Sequence, residues 1–320
     1  MYPAVQSVLN RVCIFFLLLM VIFALPRLLP GDPLDVLLSS DRVRDLSAAE
    51  LAALRDEMGL SAPLITQFAD YLRDLARGDL GYSSHHATQV TTLLANALPW
   101  TALLMVAALS VYLVLGVALG LEAGRAPHGR VDRVITTVMT LLASLPAFSI
   151  AVLLLMLFAV LLPIFPTSGA TSLFAPTAPV ARVLDILWHA VLPVTALALH
   201  EVVRFYYLSR GEVMSLSVRP FIENARARGV TAWRERVHYF GRNLIPAMLA
   251  RMSDSVTKLI GGVVYVEAVF AYPGIGHLLL GAIADRDYPL LQGALVTIAA
   301  FVLLLNGLID AWVSALARRG

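Results

Sequence analysis

The sequence predicts an all-α, polytopic membrane protein with about six transmembrane helices. Of its 320 residues, 59% are hydrophobic and only 14% are charged, whereas a soluble domain has about 45–50% apolar and about 25% charged residues. Long apolar stretches recur along the chain. Most of the apolar surface must therefore face lipid or other buried helices. The net charge of +2 is too small to indicate a nucleic-acid partner. We expect the chain to be embedded in a lipid bilayer instead.

The apolar stretches have the length that a membrane-spanning helix needs, which is about 20 residues. They lack the alternation of a barrel strand, so helices are the expected form. In the first, Arg11 precedes the apolar run from Val12 to Leu25, which has no small-x-small cleavage site after it, so we expect a retained span. The stretches cover residues 8–29, 100–122, 134–162, 189–209, 244–266 and 291–316.

The arginines predict how the chain is oriented. With six spans, arginines cluster in the segments that fall on one side, together with both termini, and positive residues favour the cytoplasmic side. We therefore expect a multi-pass protein with both termini in the cytoplasm. The arginines are Arg11, Arg125, Arg130, Arg133, Arg210, Arg219, Arg226, Arg228, Arg234, Arg236, Arg242, Arg318 and Arg319.

The opposite side holds the long segment 30–99, which we expect to be folded. Ser47-Ala48-Ala49-Glu50 fits a capping box and predicts a helix to about Met58, with Gly59 as its stop. A second helix is expected from Pro63 to Arg77, ended by Gly78. The predicted organisation has three parts: an N-terminal segment with the first span (1–29), an extracytoplasmic helical segment (30–99) and a core domain of five spans (100–320).

No enzyme motif is present in the sequence. The single lysine, Lys258, is followed by Leu259, so there is no P-loop, and neither a His-Glu-x-x-His pair nor a Gly-x-Ser-x-Gly elbow occurs. The seven histidines are scattered and the single cysteine is Cys13. We expect no catalytic residue, no metal site and no cofactor bound by this chain. Energy for work against a gradient must then come from another subunit.

The arginine-rich segment 210–243 contains a short predicted helix, near 221–229, that ends at Gly229. A second helix is expected to enter the membrane at Pro246. One interpretation is a basic loop that only sets the topology. The other is a rigid knob that docks in a groove of a separate ATPase and transmits its motion.

The residues of this segment resemble the Glu-Ala-Ala loop of binding-protein-dependent ABC importer permeases. The similarity lies in Glu223-Asn224-Ala225, followed after three residues by Gly229, with Asn224 in place of the first alanine. Leu244-Ile245-Pro246 resembles the closing segment of that motif. The resemblance implies that Glu223, Asn224, Ala225, Gly229 and Pro246 couple the chain to the ATPase.

Similarity to the dipeptide, oligopeptide and nickel permease group extends over nearly the whole chain. Each short motif is weak alone, but their order and spacing together are specific. They are Leu28-Leu29-Pro30-Gly31-Asp32-Pro33, Gly59-Leu60, Arg77-Gly78-Asp79-Leu80-Gly81, Ser144-Leu145-Pro146-Ala147-Phe148, the run from Val266 to Gly276, and Arg286-Asp287-Tyr288-Pro289.

This resemblance implies a type I ABC importer permease (MetI-like) fold in a bacterial or archaeal inner membrane. It implies a second homologous permease, two ABC ATPases that bind ATP and Mg, and an extracytoplasmic substrate-binding protein. The substrate expected from the group is a di- or oligopeptide. Nickel, a metal chelate, glutathione, an opine or a sugar oligomer remain alternatives. An ion-coupled secondary transporter is an alternative of another class, but such proteins often carry an inverted repeat, and none is evident here.

Charged residues inside spans usually face a bundle interior or a cavity, because they cost about 2.5–3.5 kcal/mol or more at the bilayer centre. Arg251, Asp254 and Lys258 share one helical face of span five, and His200 and Glu201 lie in span four. We expect these five residues to line a translocation path. The alternatives are an internal Asp254–Lys258 ion pair and a histidine that serves helix packing or metal binding.

Two polar segments lie at the outer ends of spans five and six, and we expect them to form an outer gate or the seat of the binding protein. The residues of the gate or seat are Glu267, Tyr272, Pro273, Gly274, Asp287 and Tyr288.

Two prolines lie inside predicted spans. We expect Pro146 and Pro193 to kink their helices.

Overall fold

The computed structural model describes residues 2–28, 50, 62–174 and 176–317, most of which are helical. A short hairpin pairs β1 (Tyr82–Ser83) with β2 (Thr88–Gln89). The predicted helix after Ser47 lies outside the described residues, except for Glu50. The helices are α1 (Tyr2–Leu28), α2 (Leu64–Ala76), α3 (Val90–Arg125), α4 (Arg130–Ala143), α5 (Ala147–Leu154), α6 (Pro179–Ser217), α7 (Pro220–Ala227), α8 (Ala232–Arg234), α9 (Arg242–Val269), α10 (Ile275–Ala284) and α11 (Tyr288–Ala317).

Each of the six predicted spans falls mainly on helical structure, and span 134–162 is divided between α4 and α5. By length and apolar composition, three helical stretches in the described part of the chain can cross a membrane: Val90–Arg125, Pro179–Ser217 and Tyr288–Trp312. Helix α4 and the stretch Ala147–Leu161, which is α5 continued by a π-helical turn, would make a fourth span if the bent pair is counted as one. The all-α, polytopic fold class is confirmed. Span 244–266 lies in α9, whose charged residues set it apart from these three stretches.

The predicted kink at Pro146 is a complete break. Helix α4 ends at Ala143, Pro146 is extended with φ −60° and ψ 145°, and α5 begins at Ala147. The two helical segments are bent by 101°. Proline has no N–H to donate and disfavours helical geometry in the residue before it, so the chain stops one helix and starts another here. Pro193, in contrast, lies within the uninterrupted α6.

The helix predicted from Pro63 to Arg77 is confirmed as α2. It ends where Gly78 adopts φ +79°, a conformation that glycine reaches without steric cost. Phe68 and Tyr71 of α2 face α1, and their rings lie 5.1 and 5.7 Å from the ring of Phe23. The first span therefore covers part of the apolar face of α2, while Leu64 and Ile65 at its start stay exposed.

The chain divides into two compact units, Met1–Pro99 with Gly274–Leu303, and Trp100–Pro273 with Leu304–Gly320. In the first, Leu19 and Ile22 of α1 are buried with Val296 of α11. In the second, α6 packs against α9, α5 and α4. Helix α6 is thus the central element of the unit that contains most of the predicted functional residues.

Three glycines at intervals of four residues bring α3 into direct backbone contact with α6. A Cβ atom at Gly116 would lie 2.7 Å from Phe205 Cβ, one at Gly120 would lie 2.6 Å from the Tyr206 carbonyl oxygen, and one at Gly124 would lie 2.8 Å from the Arg210 carbonyl oxygen. Small residues on one helical face permit such an approach in membrane proteins. This contact fixes the distance between the two longest helices.

We predict that Gly120→Ala destabilises the protein by about 1–3 kcal/mol, because the added methyl group forces two backbones apart. The measurement is the midpoint of thermal unfolding in detergent. The control is Gly211→Ala, since no atom lies within 4 Å of a Cβ at Gly211 of α6 and alanine favours helix by about 1 kcal/mol. Equal midpoints for the two variants would contradict a tight α3–α6 contact.

Candidate functional site

The segment that resembles the Glu-Ala-Ala loop folds as a short exposed helix. Helix α7 starts with Pro220 at its first turn, where the missing N–H has no cost. Ile222 and Ala225 form the buried face of this helix, while Glu223 and Asn224 are exposed. Gly229 follows the helix with φ +70°. The predicted helix and its stop are therefore confirmed, and two of the predicted coupling residues lie on its open face.

The second predicted helix starts earlier than Pro246. Helical structure begins at Ala232, passes through a π-helical turn at Glu235–Gly241 and continues as α9. Pro246 is an exposed residue within α9. Helices α7 and α9 are thus joined by a turn at Gly229 and by a helical rod, residues 232–241, that continues into α9 without a break.

The buried carboxylate of Glu235 attaches the helical rod to both α7 and α3. Glu235 is 6% exposed, and it accepts one hydrogen bond from Arg226 Nε at 2.7 Å and one from Arg125 Nη2 at 2.7 Å. Burial alone raises the pKa of the Glu235 carboxyl. The hydrogen bonds from Arg125 and Arg226 outweigh burial and hold this pKa below its usual value.

A second glutamate extends the same group of charges. Arg236 donates to both carboxylate oxygens of Glu122 in α3, and its Nη2 lies 3.1 Å from Oε2. Arg125 Nη1 lies 3.5 Å from that Oε2 atom. We call the five residues Glu122, Arg125, Arg226, Glu235 and Arg236 the Glu235 cluster. The sequence linked these arginines only to the orientation of the chain and predicted no role for either glutamate, although acidic residues among so many arginines indicate pairing.

A further ion pair that sequence analysis missed joins α4 to α6. Arg210 Nε lies 2.6 Å from Asp132 Oδ1 and Arg210 Nη2 lies 2.8 Å from Asp132 Oδ2. Asp132 also accepts from the backbone N–H of His128 at 2.8 Å. This two-bond geometry, which arginine forms with carboxylates, fixes both position and orientation.

The polar residues predicted in spans four and five form a chain of alternating charge between α6 and α9. Arg204 donates to both oxygens of the buried Glu201 at 2.9 Å, and its other nitrogen lies 2.6 Å from Asp254 Oδ2. The same Asp254 oxygen lies 3.1 Å from Lys258 Nζ. Ser255 donates to Glu201 at 2.5 Å. The Asp254–Lys258 ion pair, which was the alternative to a role in the translocation path, is therefore present, and Arg204 connects it to α6.

The other two residues of the predicted path differ in their surroundings. Arg251 is exposed on the same face of α9 as Asp254 and Lys258. His200 is partly buried, and its Nδ1 atom finds no hydrogen-bond partner in the described part of the chain. Within residues 2–28, 62–174 and 176–317, no three His, Cys, Asp or Glu side chains group closely enough to hold a metal ion.

The predicted outer residues of the second unit are buried and hold a turn. Glu267 is fully buried and accepts from Thr101 Oγ1 at 2.7 Å, and its carbonyl accepts from the N–H of Tyr272 at 2.8 Å. The Tyr272 ring packs edge-to-face on Trp100, with ring centroids 5.9 Å apart. Pro273 is exposed. Glu267 and Tyr272 thus shape the end of α9, and Pro273 remains accessible.

The predicted outer residues of the first unit also fix local structure. Asp287 is buried, accepts from the Ser83 hydroxyl of β1 and accepts from the backbone N–H of Leu290 at 3.1 Å. This carboxylate therefore caps α11 and attaches the hairpin to it. Tyr288 is buried beside it, and Gly274 immediately precedes α10. The gate or seat role of these residues stays a prediction.

Comparison with known proteins identifies the family. Residues 113–319 match the family described as binding-protein-dependent transport system inner membrane component. The chain is 32% identical over 291 residues to a probable peptide ABC transporter permease protein of Sinorhizobium fredii, covering 90% of this chain and 89% of the relative.

Two further relatives have similar identity. The chain is 31% identical over 298 residues to a putative peptide permease protein of Brucella suis, covering 92% of this chain and 90% of the relative. It is 31% identical over 310 residues to a nickel import system permease protein of Staphylococcus aureus, covering 96% of this chain and 89% of the relative. The chain therefore belongs to the family of inner membrane components of binding-protein-dependent transport systems.

Proposed function

We propose that this chain is the permease subunit of an ATP-driven ABC importer and that α7 is its contact with a separate ATPase. The observation that carries the proposal is the exposed face of α7, with Glu223 and Asn224, on a helix whose other face is buried at Ile222 and Ala225. A rigid exposed helix of this kind fits a groove on a partner. A relative named as a probable peptide ABC transporter permease supports the assignment.

The assembly that we propose has two ATPases, which bind ATP and Mg, and a second homologous permease that completes the translocation path. An extracytoplasmic binding protein delivers the substrate. Both termini and α7 lie in the cytoplasm, as the arginine distribution predicts. ATP drives the cycle by binding one conformation of the complex more tightly than the other, since a ligand shifts a conformational equilibrium only by its differential affinity.

We assign the exposed face of α9 to the translocation path. Arg251, Asp254 and Lys258 are exposed on this chain, and charges that face lipid near the bilayer centre cost about 2.5–3.5 kcal/mol or more each. This face is therefore suited to a water-filled path or to the second permease. Glu201 and His200 lie behind it on α6, where Glu201 positions Arg204.

The substrate that we propose is a di- or oligopeptide, because two of the relatives are named peptide permeases. Charged side chains of both signs along α9 suit the amino and carboxylate ends of a peptide. Nickel import is the second candidate. The similarity to a nickel import system permease over 96% of this chain favours it.

We predict that wild-type protein purified in detergent brings down a P-loop ATPase and that Gly229→Val loses it. Valine is strained at φ +70° and distorts the end of α7. The measurement is mass spectrometry of the co-purified proteins. Gly211→Val is a matched control, because a Cβ at either glycine meets no atom within 4 Å and only Gly229 has a positive φ.

One result would contradict the importer proposal. If wild-type protein brings down no ATPase and still moves substrate into vesicles down an ion gradient, the chain is a secondary transporter.

For the path we predict that Lys258→Met lowers uptake of a radiolabelled tripeptide about tenfold, the change that corresponds to a lost interaction of about 1.4 kcal/mol. Assembly with the ATPase should be retained, because an exposed ion pair contributes only about 0–1 kcal/mol to stability. Arg234→Met, on the exposed helical rod before α9, is the control. Normal uptake and normal assembly in Lys258→Met would remove Lys258 from the path.

A further inference from the structure

The Glu235 cluster lies where a coupling helix must transmit force. Arg226 is in the last turn of α7, Arg125 is the last residue of α3, and Glu235 starts the π-helical turn that leads into α9. One carboxylate therefore connects three elements. Arg236 and Glu122 add a second link between the helical rod and α3.

The chemistry of these contacts makes them directional. Each arginine donates a charge-assisted hydrogen bond to Glu235 at 2.7 Å, and such bonds are roughly twice as strong as those between neutral groups. The Glu235 side chain is 7% exposed and that of Arg125 is 18% exposed. Water competes little for a carboxylate in this position, so the two arginines determine its place.

Apolar packing alone does not fix α7 in the same way. Ile222 and Ala225 form the buried face of α7, but contacts between small apolar surfaces are non-directional and permit sliding. The hydrogen bonds that Glu235 accepts have defined lengths and angles, so they oppose both sliding and rotation. The π-helical turn, a feature found frequently at functional sites, begins at the same residue.

We infer that Glu235 is a positioning residue that makes α7 and the adjoining end of α3 move as one body when the ATPase changes state. This inference rests on the proposed coupling role of α7. Arg226 of α7 and Arg125 of α3 are connected through the Glu235 carboxylate that they share. An ATPase that displaces α7 then displaces α3 by the same amount, and α6 follows through the glycine contacts.

The experiment measures the distance between α7 and α3 directly. Spin labels are placed at Ala227→Cys in α7 and Ala118→Cys in α3, both exposed positions, in a chain carrying Cys13→Ser. The complex with its co-purified ATPase is measured with and without ATP and vanadate, well below the unfolding temperature. The variants are Glu235→Gln, Arg226→Gln and their double mutant, with Arg234→Gln as the control arginine.

The expected result is one narrow distance distribution in wild type that ATP and vanadate do not shift. Glu235→Gln and Arg226→Gln broaden the distribution and make it respond to nucleotide, while both retain the ATPase. The double mutant behaves like Glu235→Gln, because the two changes remove the same contact. Arg234→Gln resembles wild type. Arg226 is about half exposed, so its variant tests the inference even if Glu235→Gln fails to fold.

Two results would overturn the inference: a wild-type distance that shifts with ATP and vanadate, or a narrow distribution retained in both variants, which would leave Glu235 a folding contact only. Loss of the ATPase from wild-type protein is different. It refutes the proposed function, and the widths measured without nucleotide still decide whether Glu235 fixes α7 to α3.

Discussion

Pairing of charges within a largely apolar chain is the constraint on which the rest of the structure depends. An uncompensated charge in such surroundings is costly, so a buried carboxylate needs a cation or several hydrogen-bond donors, and for Glu235 and Asp132 the cation belongs to another helix. Glu235 joins α7 to α3 through Arg226 and Arg125. Asp132 joins α4 to α6 through Arg210. These pairs are the points at which separate helices become one unit.

Close helix packing makes the pairing possible. The glycines of α3 bring its backbone against α6, and this contact positions the end of α3 that carries Arg125. Packing and charge thus support each other: the glycines set the distance, and the ion pairs set the orientation. The same arrangement connects the proposed ATPase contact on α7 with the proposed path on α9, where Arg204 links Glu201 to Asp254.

Much of the fold follows from local sequence signals. Apolar runs place the spans, Gly78 and Gly229 end their helices at positive φ, and Pro146 separates α4 from α5. The long-range pairing partners were not predictable, because Arg125 and Glu235 are 110 residues apart and meet only after the helices pack. The spacing of Gly116, Gly120 and Gly124 was a readable signal of that packing. The burial of Glu267 and Asp287 was also missed, since an outer position alone suggested exposure.

The most direct test of this account is amide hydrogen exchange in detergent, comparing wild type with Glu235→Gln. The account predicts that exchange becomes faster in residues 220–229 and at the end of α3, because α7 loses its attachment, while α6 and the membrane part of α9 keep their protection. Unchanged exchange in residues 220–229, or an increase spread evenly along the chain, would contradict the claim that one shared carboxylate holds α7 in place.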